Sequence, residues 1–323
     1  MRILKRGACI SGTGSAVPSN VVTNEDLAKS CPTDATWVEE VLGIKSRRHL
    51  HPSETLLDLC ISSAKASLLN SNMTIDNIDT IIVATSTPDY LNPSMASLLH
   101  GALDARSTTA AFDIQAVCSG FLYGLGVAAK LLDDDVSNVL LVGADQFSKI
   151  TDFTNRNSVF FGDGAGAAVI SRSSNPLSFI AVDLYTNSQN WEGFHTPRLE
   201  SKFVMTGKLV KEKAVTVLPD AIKKLALDLG FGVDEITAIF PHQPSKPVLD
   251  ALELALNLKP GVLKRNLEFR GNTAGATVPL LLDESRETTP IPNGSLIGFA
   301  AVGSGWTWGA ALTYWIEDVA NDQ

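Results

Sequence analysis

Two distant stretches of the chain follow one pattern: "IDTIIVATSTPD" (78–89) and "ITAIFPHQPS" (236–245) are each a short apolar run that breaks into a polar turn. Apolar runs of about four to eight residues bounded by turn residues read as buried strands. "NVLLVGAD" (138–145) reads as another, and "NSVFFGDGAGAAVIS" (157–171) closes a first half of the chain. "SLIGFAAVGSGWTWGAALTYW" (295–315) closes a second half in a similar way, as a pair of apolar runs around a Gly-rich turn. Helical stretches at 54–71, 118–132, 215–230 and 246–257 lie between the strands. Such alternation predicts an α/β fold whose sheets are covered by helices. The polar stretch "SRSSNPLS" (171–178) is the expected seam, giving halves 1–172 and 173–323. The segments 186–202 and 284–295 read as loops, the first long enough to be a lid.

With 323 residues, 45% of them hydrophobic, the chain can bury a core of two domains or one duplicated domain. A net charge of −9 argues against general nucleic-acid binding, which needs a clustered basic surface. The longest apolar runs fall short of the roughly 20 residues of a membrane span, and the basic start is soon broken by glycine and proline. We expect a soluble, cytoplasmic protein with no membrane insertion. Cys9, Cys31, Cys60 and Cys118 show no CxxC pair or His-rich cluster, so no metal site and no disulfide framework is expected.

In "QAVCSGFLYGLGVAAKLL" (115–132), no residue from Cys118 to Ala129 is charged. A helix of that composition is buried along most of its length. Cys118 falls at its first turn, where unpaired N–H groups and the helix dipole favour an anion and lower a thiol pKa. A buried cysteine can equally be a small core residue. His242 in "FPHQPS" follows a strand and precedes a helix, where it is either a functional group or a cap. Asn272 in "RGNTAGATVPLLL" lies in a Gly-rich turn, again a functional group or an ordinary cap.

The chain resembles the β-ketoacyl-acyl-carrier-protein synthase III family of the thiolase superfamily. The matching signatures are "ISGTGSAVP" (10–18), "WVEEVLGIKSRRHL" (37–50), "DIQAVCSGFLYGL" (113–125), "FGDGAGAAVI" (161–170), "PHQPS" (241–245), "GNTAGATVP" (271–279) and "GSGWTWGAAL" (303–312), in that order. The resemblance implies a thiolase-like five-layered αβαβα fold built from two similar halves, and a homodimer. It assigns Cys118, His242 and Asn272 as the catalytic set.

On that assignment, a Cys118 thiolate attacks an acyl-coenzyme A thioester, and the backbone N–H groups of Cys118 and Ser304 hold the oxyanion. A malonyl thioester, on acyl-carrier protein or on coenzyme A, then loses CO₂. His242 Nε2–H and the Asn272 amide donate to the enolate oxygen while the carbanion attacks the acyl group. Coenzyme A enters as substrate, and no cofactor is implied. "GTGSAV" (12–17) and "GDGAGA" (162–167) lack the complete dinucleotide fingerprint and read as close-packing turns.

Trp37 matches the aromatic residue on which the adenine of coenzyme A stacks, and Arg156 its basic partner across a one-residue gap. The chain departs from the family at several basic positions: Val41 and Pro247 replace arginines, and Glu212, flanked by Lys211 and Lys213, replaces a lysine. At the acyl pocket, Asn92 stands where a bulky apolar residue is common, Val302 where phenylalanine is, and Ser304 where glycine is. These changes lead us to expect a starter larger or more polar than acetyl. Condensation would serve either fatty acid initiation or a specialised acyl product such as a quinolone or a polyketide; two alternatives to it are acyl transfer to an alcohol or amine, which family members lacking the Asn perform, and a Cys-His-Asn thioester hydrolase. Asn272 favours condensation over the former. The lack of a papain-type signature around Cys118 disfavours the latter.

Overall fold

A computed structural model describes residues 1–198 and 201–316. It contains two five-stranded sheets. The first runs in the order Ala8–Ala16, Gly164–Arg172, Asn138–Asp145, Thr80–Ala84, Ala110–Ile114. The second runs Arg2–Arg6, Phe179–Thr186, Thr307–Tyr314, Leu296–Gly303, Ala238–Pro241. In each sheet, parallel pairing is confined to the end holding the early strand-and-turn stretch: Thr80–Ala84 pairs in parallel on both sides, and Ala238–Pro241 with Leu296–Gly303.

By place in the sheets, Ala238–Pro241 matches Thr80–Ala84, so the echo between 78–89 and 236–245 is real. The other echo is offset. The strand of 157–171 matches only the later run, Thr307–Tyr314, whereas Leu296–Gly303 takes the place of Asn138–Asp145. Arg2–Arg6 belongs to the second sheet although it lies at the start of the first half; it pairs antiparallel with Phe179–Thr186.

Helix Gly120–Leu131 packs on strands of both sheets, as does helix Thr277–Thr288. Helix Leu56–Asn70 covers the outer face of the first sheet, and Gly207–Leu229 with Lys246–Leu256 covers that of the second. The result is the thiolase-like five-layered αβαβα arrangement. Its central layer explains why Gly120–Leu131 carries no charge before Lys130: a helix with a sheet on either side has no solvated face.

The glycines of "GTGSAV" and "GDGAGA" do serve close packing, Gly162 in the turn before strand Gly164–Arg172 and the others within strands. A Cβ on Gly14 would lie 2.3 Å from the Ser63 carbonyl oxygen, so only glycine lets strand Ala8–Ala16 meet helix Leu56–Asn70. A Cβ on Gly166 would lie 2.4 Å from the Leu280 nitrogen of the central layer.

Two segment boundaries differ from expectation. Helix Gly207–Leu229 begins eight residues before 215, because "GKLVKEKA" is a polar but helical first stretch along the surface. Residues 284–288 are the end of helix Thr277–Thr288, where Glu284 turns outward to pair with Arg270 at 2.7 Å. Segment 186–202 carries a 3-10 turn, Trp191–Gly193, and strand Phe194–His195, which pairs with Val204–Met205; Leu199 and Glu200 lie outside the described residues.

Candidate active site

Cys118 lies in a 3-10 turn, Val117–Ser119, between strand Ala110–Ile114 and helix Gly120–Leu131. Val117 has φ +47°, a conformation that costs a β-branched residue on the order of 1–3 kcal/mol. The second half clamps this turn. Ser119 Oγ lies 2.8 Å from Thr307 Oγ1, and Thr307 Oγ1 also donates to the Ala116 carbonyl at 3.2 Å. A Cβ on Gly303 would come within 2.6 Å of the Ala116 oxygen and 3.1 Å of the Cys118 nitrogen. Glycine at 303 thus brings the Ser304 peptide up to the Cys118 backbone.

His242 follows strand Ala238–Pro241, and its backbone N–H donates to the Ala300 carbonyl at 2.8 Å. Asn272 is tied to the first half: its N–H donates to Phe160 O at 2.8 Å, and its carbonyl accepts from the Gly162 N–H at 3.0 Å. Beneath this segment, buried Arg47 donates to the Val159 carbonyl at 2.7 Å and to Asn24 Oδ1 at 2.8 Å. Burial lowers its pKa to about 10, which leaves it charged at neutral pH.

The two side chains meet. Asn272 Oδ1 accepts the Ala274 N–H at 2.9 Å, which fixes the amide orientation, and His242 Nε2 lies 3.1 Å from the same oxygen. Nε2 therefore carries the proton and Nδ1 a bare lone pair, buried without a hydrogen-bond partner. Burial lowers the His242 pKa to about 4, so the imidazole is neutral at pH 7.

Burial drives the Cys118 thiol the other way, well above its ordinary range, and nearby Asp145 adds to the rise. The helix N-terminus opposes this by at most about 2 kcal/mol, near 1.5 pKa units, against about 3–5 units for full desolvation. Desolvation wins, so the depressed thiol pKa expected from the helix position is not found.

Asp145 was not singled out from the sequence. It is fully buried at the end of strand Asn138–Asp145. Its Oδ2 accepts the Gly275 N–H at 2.8 Å, while Oδ1 accepts from Ser86 N–H at 2.8 Å and Thr87 Oγ1 at 2.8 Å. It thereby joins the turn after Thr80–Ala84 to the Asn272 loop.

Cys118, His242, Asn272, Val302, Ser304 and Trp37 line one apolar cavity of about 370 Å³, within the usual range for small-molecule sites. The Arg156 guanidinium lies 3.7 Å from the centroid of the Trp37 ring. Val41 and Pro247 line the cavity too, so it is apolar where arginines were expected, and Lys208 and Lys211 are the lysines among its lining residues. Asn92 is exposed and does not line this cavity. Instead Phe161 and Phe194 line the wall and pack with buried Phe147 and Phe203, ring centroids 4.6–6.3 Å apart.

The sequence profile of 3-oxoacyl-[acyl-carrier-protein (ACP)] synthase III matches residues 112–188, and that of its C-terminal region matches residues 228–315. The chain is 32% identical to a β-ketoacyl-[acyl-carrier-protein] synthase III of Rickettsia felis over 95% of this chain and 99% of that protein. It superposes on the crystal structure of 3-oxoacyl-[acyl-carrier-protein] synthase III from Aquifex aeolicus with a TM-score of 0.91 and 34% identity, covering 96% and 100% of the two chains. The priming β-ketosynthase of the R1128 polyketide pathway gives a TM-score of 0.90 at 27% identity, covering 96% and 97%. Fold and site define a thiolase-like condensing acyltransferase. Within that class, the chain belongs to the 3-oxoacyl-[acyl-carrier-protein] synthase III family.

Proposed function

We propose that the protein initiates fatty acid synthesis by loading an acyl group from acyl-coenzyme A onto Cys118 and condensing it with a malonyl thioester. The observation that carries this reading is the placement of Cys118 in one apolar cavity with the hydrogen-bonded His242–Asn272 pair. In the first half-reaction the sulfur bonds the acyl carbon, and the thiol proton leaves on coenzyme A. The Cys118 and Ser304 N–H groups stabilise the oxyanion. In the second, the malonyl group loses CO₂, its methylene carbon bonds the acyl carbon, and Cys118 departs and regains a proton.

His242 acts as a neutral donor through Nε2–H, shared between Asn272 Oδ1 and the enolate oxygen. Asn272 offers its NH₂ group, since both of its side-chain hydrogen bonds fall on Oδ1. Two neutral donors stabilise the enolate without protonating its carbon. Trp37 and Arg156 bind the nucleotide end of coenzyme A, and Lys208 and Lys211 attract its phosphates or those of an acyl-carrier protein. No further cofactor or metal takes part. We further propose a cytoplasmic homodimer, in which Asn92 reaches the partner's acyl pocket. Among the described residues, no helix is long and apolar enough to cross a membrane.

A second reading, priming of a polyketide pathway, draws on the likeness to the R1128 enzyme. The chemistry is the same and the acceptor carrier differs. Intact-protein mass spectrometry after incubation with a panel of acyl-coenzyme A thioesters tests the loading step. An acyl adduct on the wild type, absent in Cys118→Ala, is expected, and an adduct that persists in Cys118→Ala would overturn the assignment. His242→Ala and Asn272→Ala should retain acylation but lose malonyl decarboxylation by about 10²–10³-fold. Wild-type condensation by Asn272→Ala would favour acyl transfer to oxygen or nitrogen instead.

A further inference from the structure

A second cavity, of about 420 Å³, lies behind the nucleophile's turn and is lined by Gln115, Ala116, Val117, Phe147 and Thr307. It shares two lining residues with the Cys118 cavity, Phe194 and Ser304. These two are bonded to each other, the Ser304 hydroxyl donating to the Phe194 carbonyl. The turn that precedes strand Phe194–His195 is anchored by two further bonds, Trp306 Nε1 to Asn190 O at 3.1 Å and Thr206 N–H to Gly193 O at 2.8 Å. Phe194 is 6% exposed, and its ring is braced by Phe161 and Phe203 at 6.0 and 5.8 Å.

We infer that Ser304 limits the length of the acyl group carried on Cys118, by pinning Phe194 as the partition between the two cavities. This rests on the proposed loading of Cys118 and adds a specificity determinant to it. On the proposed binding of coenzyme A at Trp37 and Arg156, the acyl chain on the sulfur extends away from them, towards Phe161 and Phe194, which line the same cavity as Cys118. A short chain ends at that wall. A long one must push the Phe194 ring towards the second cavity, against a main chain that the Ser304 hydroxyl holds by its carbonyl. Glycine, common at this position in the family, has no hydroxyl to make that bond, so the restriction belongs to this chain's own residue. Ser304 acts on specificity through Phe194, separately from its backbone N–H.

The test uses the full-length protein and its Ser304→Ala, Phe194→Ala and double variants, with acetyl-, butyryl-, hexanoyl- and octanoyl-coenzyme A. The rate of Cys118 acylation is read by intact-protein mass spectrometry. Wild type should load acetyl and butyryl groups at least about tenfold faster than octanoyl. Loss of one hydrogen bond in Ser304→Ala should raise the octanoyl-to-acetyl rate ratio by about 2–10-fold. Phe194→Ala should raise it further, and the double variant should match Phe194→Ala, because the serine works through the ring. The inference is overturned if Cys118 is acylated but Ser304→Ala keeps the wild-type ratio, whatever Phe194→Ala does, or if wild type loads octanoyl as fast as acetyl. Absence of any acyl adduct on wild-type Cys118 is the distinct result that removes the loading reaction and this inference with it.

Discussion

Asp145 Oδ2 accepts the Gly275 N–H at 2.8 Å, and through that bond the first sheet fixes the loop that carries Asn272. The same carboxylate collects the donors of Ser86 and Thr87, so its removal strands several buried polar groups at once. Each such group costs about 1–3 kcal/mol when left unsatisfied.

Asp145→Ala should therefore lower the free energy of unfolding by about 3 kcal/mol or more, and Asp145→Asn by less, because the amide keeps one acceptor. Urea unfolding at neutral pH measures this. A variant as stable as the wild type would mean that water replaces the carboxylate without loss.

His242, with its pKa lowered to about 4 by burial, should remain a neutral donor from pH 8 down to about 5. The malonyl decarboxylation rate is then expected to be flat between pH 6 and 8. An imidazolium donor would instead lose rate around the ordinary value near 6.5. The sign for stability follows from the same shift. The folded state resists protonation that the unfolded chain accepts, so this residue's contribution is complete above about pH 6.5 and lost as pH falls through about 4. Wild type and His242→Gln should differ less in urea midpoint at pH 5 than at pH 7.

For Cys118, burial outweighs the helix terminus, and the thiolate is the form that alkylates. The rate of iodoacetamide modification, followed by mass, should keep rising beyond pH 9 without a plateau. A plateau below pH 8 would show that the helix and neighbouring N–H groups overcome desolvation.

At Gly14 a methyl group would collide with the Ser63 carbonyl, a backbone atom that cannot rotate aside. Gly14→Ala should destabilise by about 1–3 kcal/mol or more, seen as a fall in melting temperature. Gly101→Ala is the control: nothing lies within 4 Å of the added carbon, and helix Met95–Ala102 gains from the change.

What could be read from the chain alone was whatever a short segment encodes by itself. The uncharged run after Cys118 announces a helix with no solvated side, and that helix is the central layer. Cys118, His242 and Asn272 each sit at a strand end or Gly-rich turn, so their local signatures survive in sequence, and the cavity gathers all three. Asp145 left no such trace, because an acid after an apolar strand looks like any turn residue and its partners are at 86, 87 and 275. The phenylalanine wall was hidden for a similar reason. Phe147, Phe161, Phe194 and Phe203 come from separate segments, and only the fold brings their rings together. Charged "GKLVKEKA" concealed a helix start because its polar residues face solvent for two turns before the buried stripe begins.

Strand Arg2–Arg6 makes the chain pass between its halves twice, and the two crossings are laced together. Gly7 N–H donates to Ser178 O at 2.8 Å, and Ser173 N–H donates to Gly7 O at 2.9 Å. Arg2 also reaches Asp183 at 2.5 Å on the neighbouring strand. A polypeptide cut between 173 and 178 would therefore not yield two independent pieces. The leading fragment would carry a strand with no sheet of its own, and the trailing one an open sheet edge shaped to receive it. Co-expressed, such fragments have a built-in clasp, so the seam is a natural place to divide this enzyme into halves that find each other again.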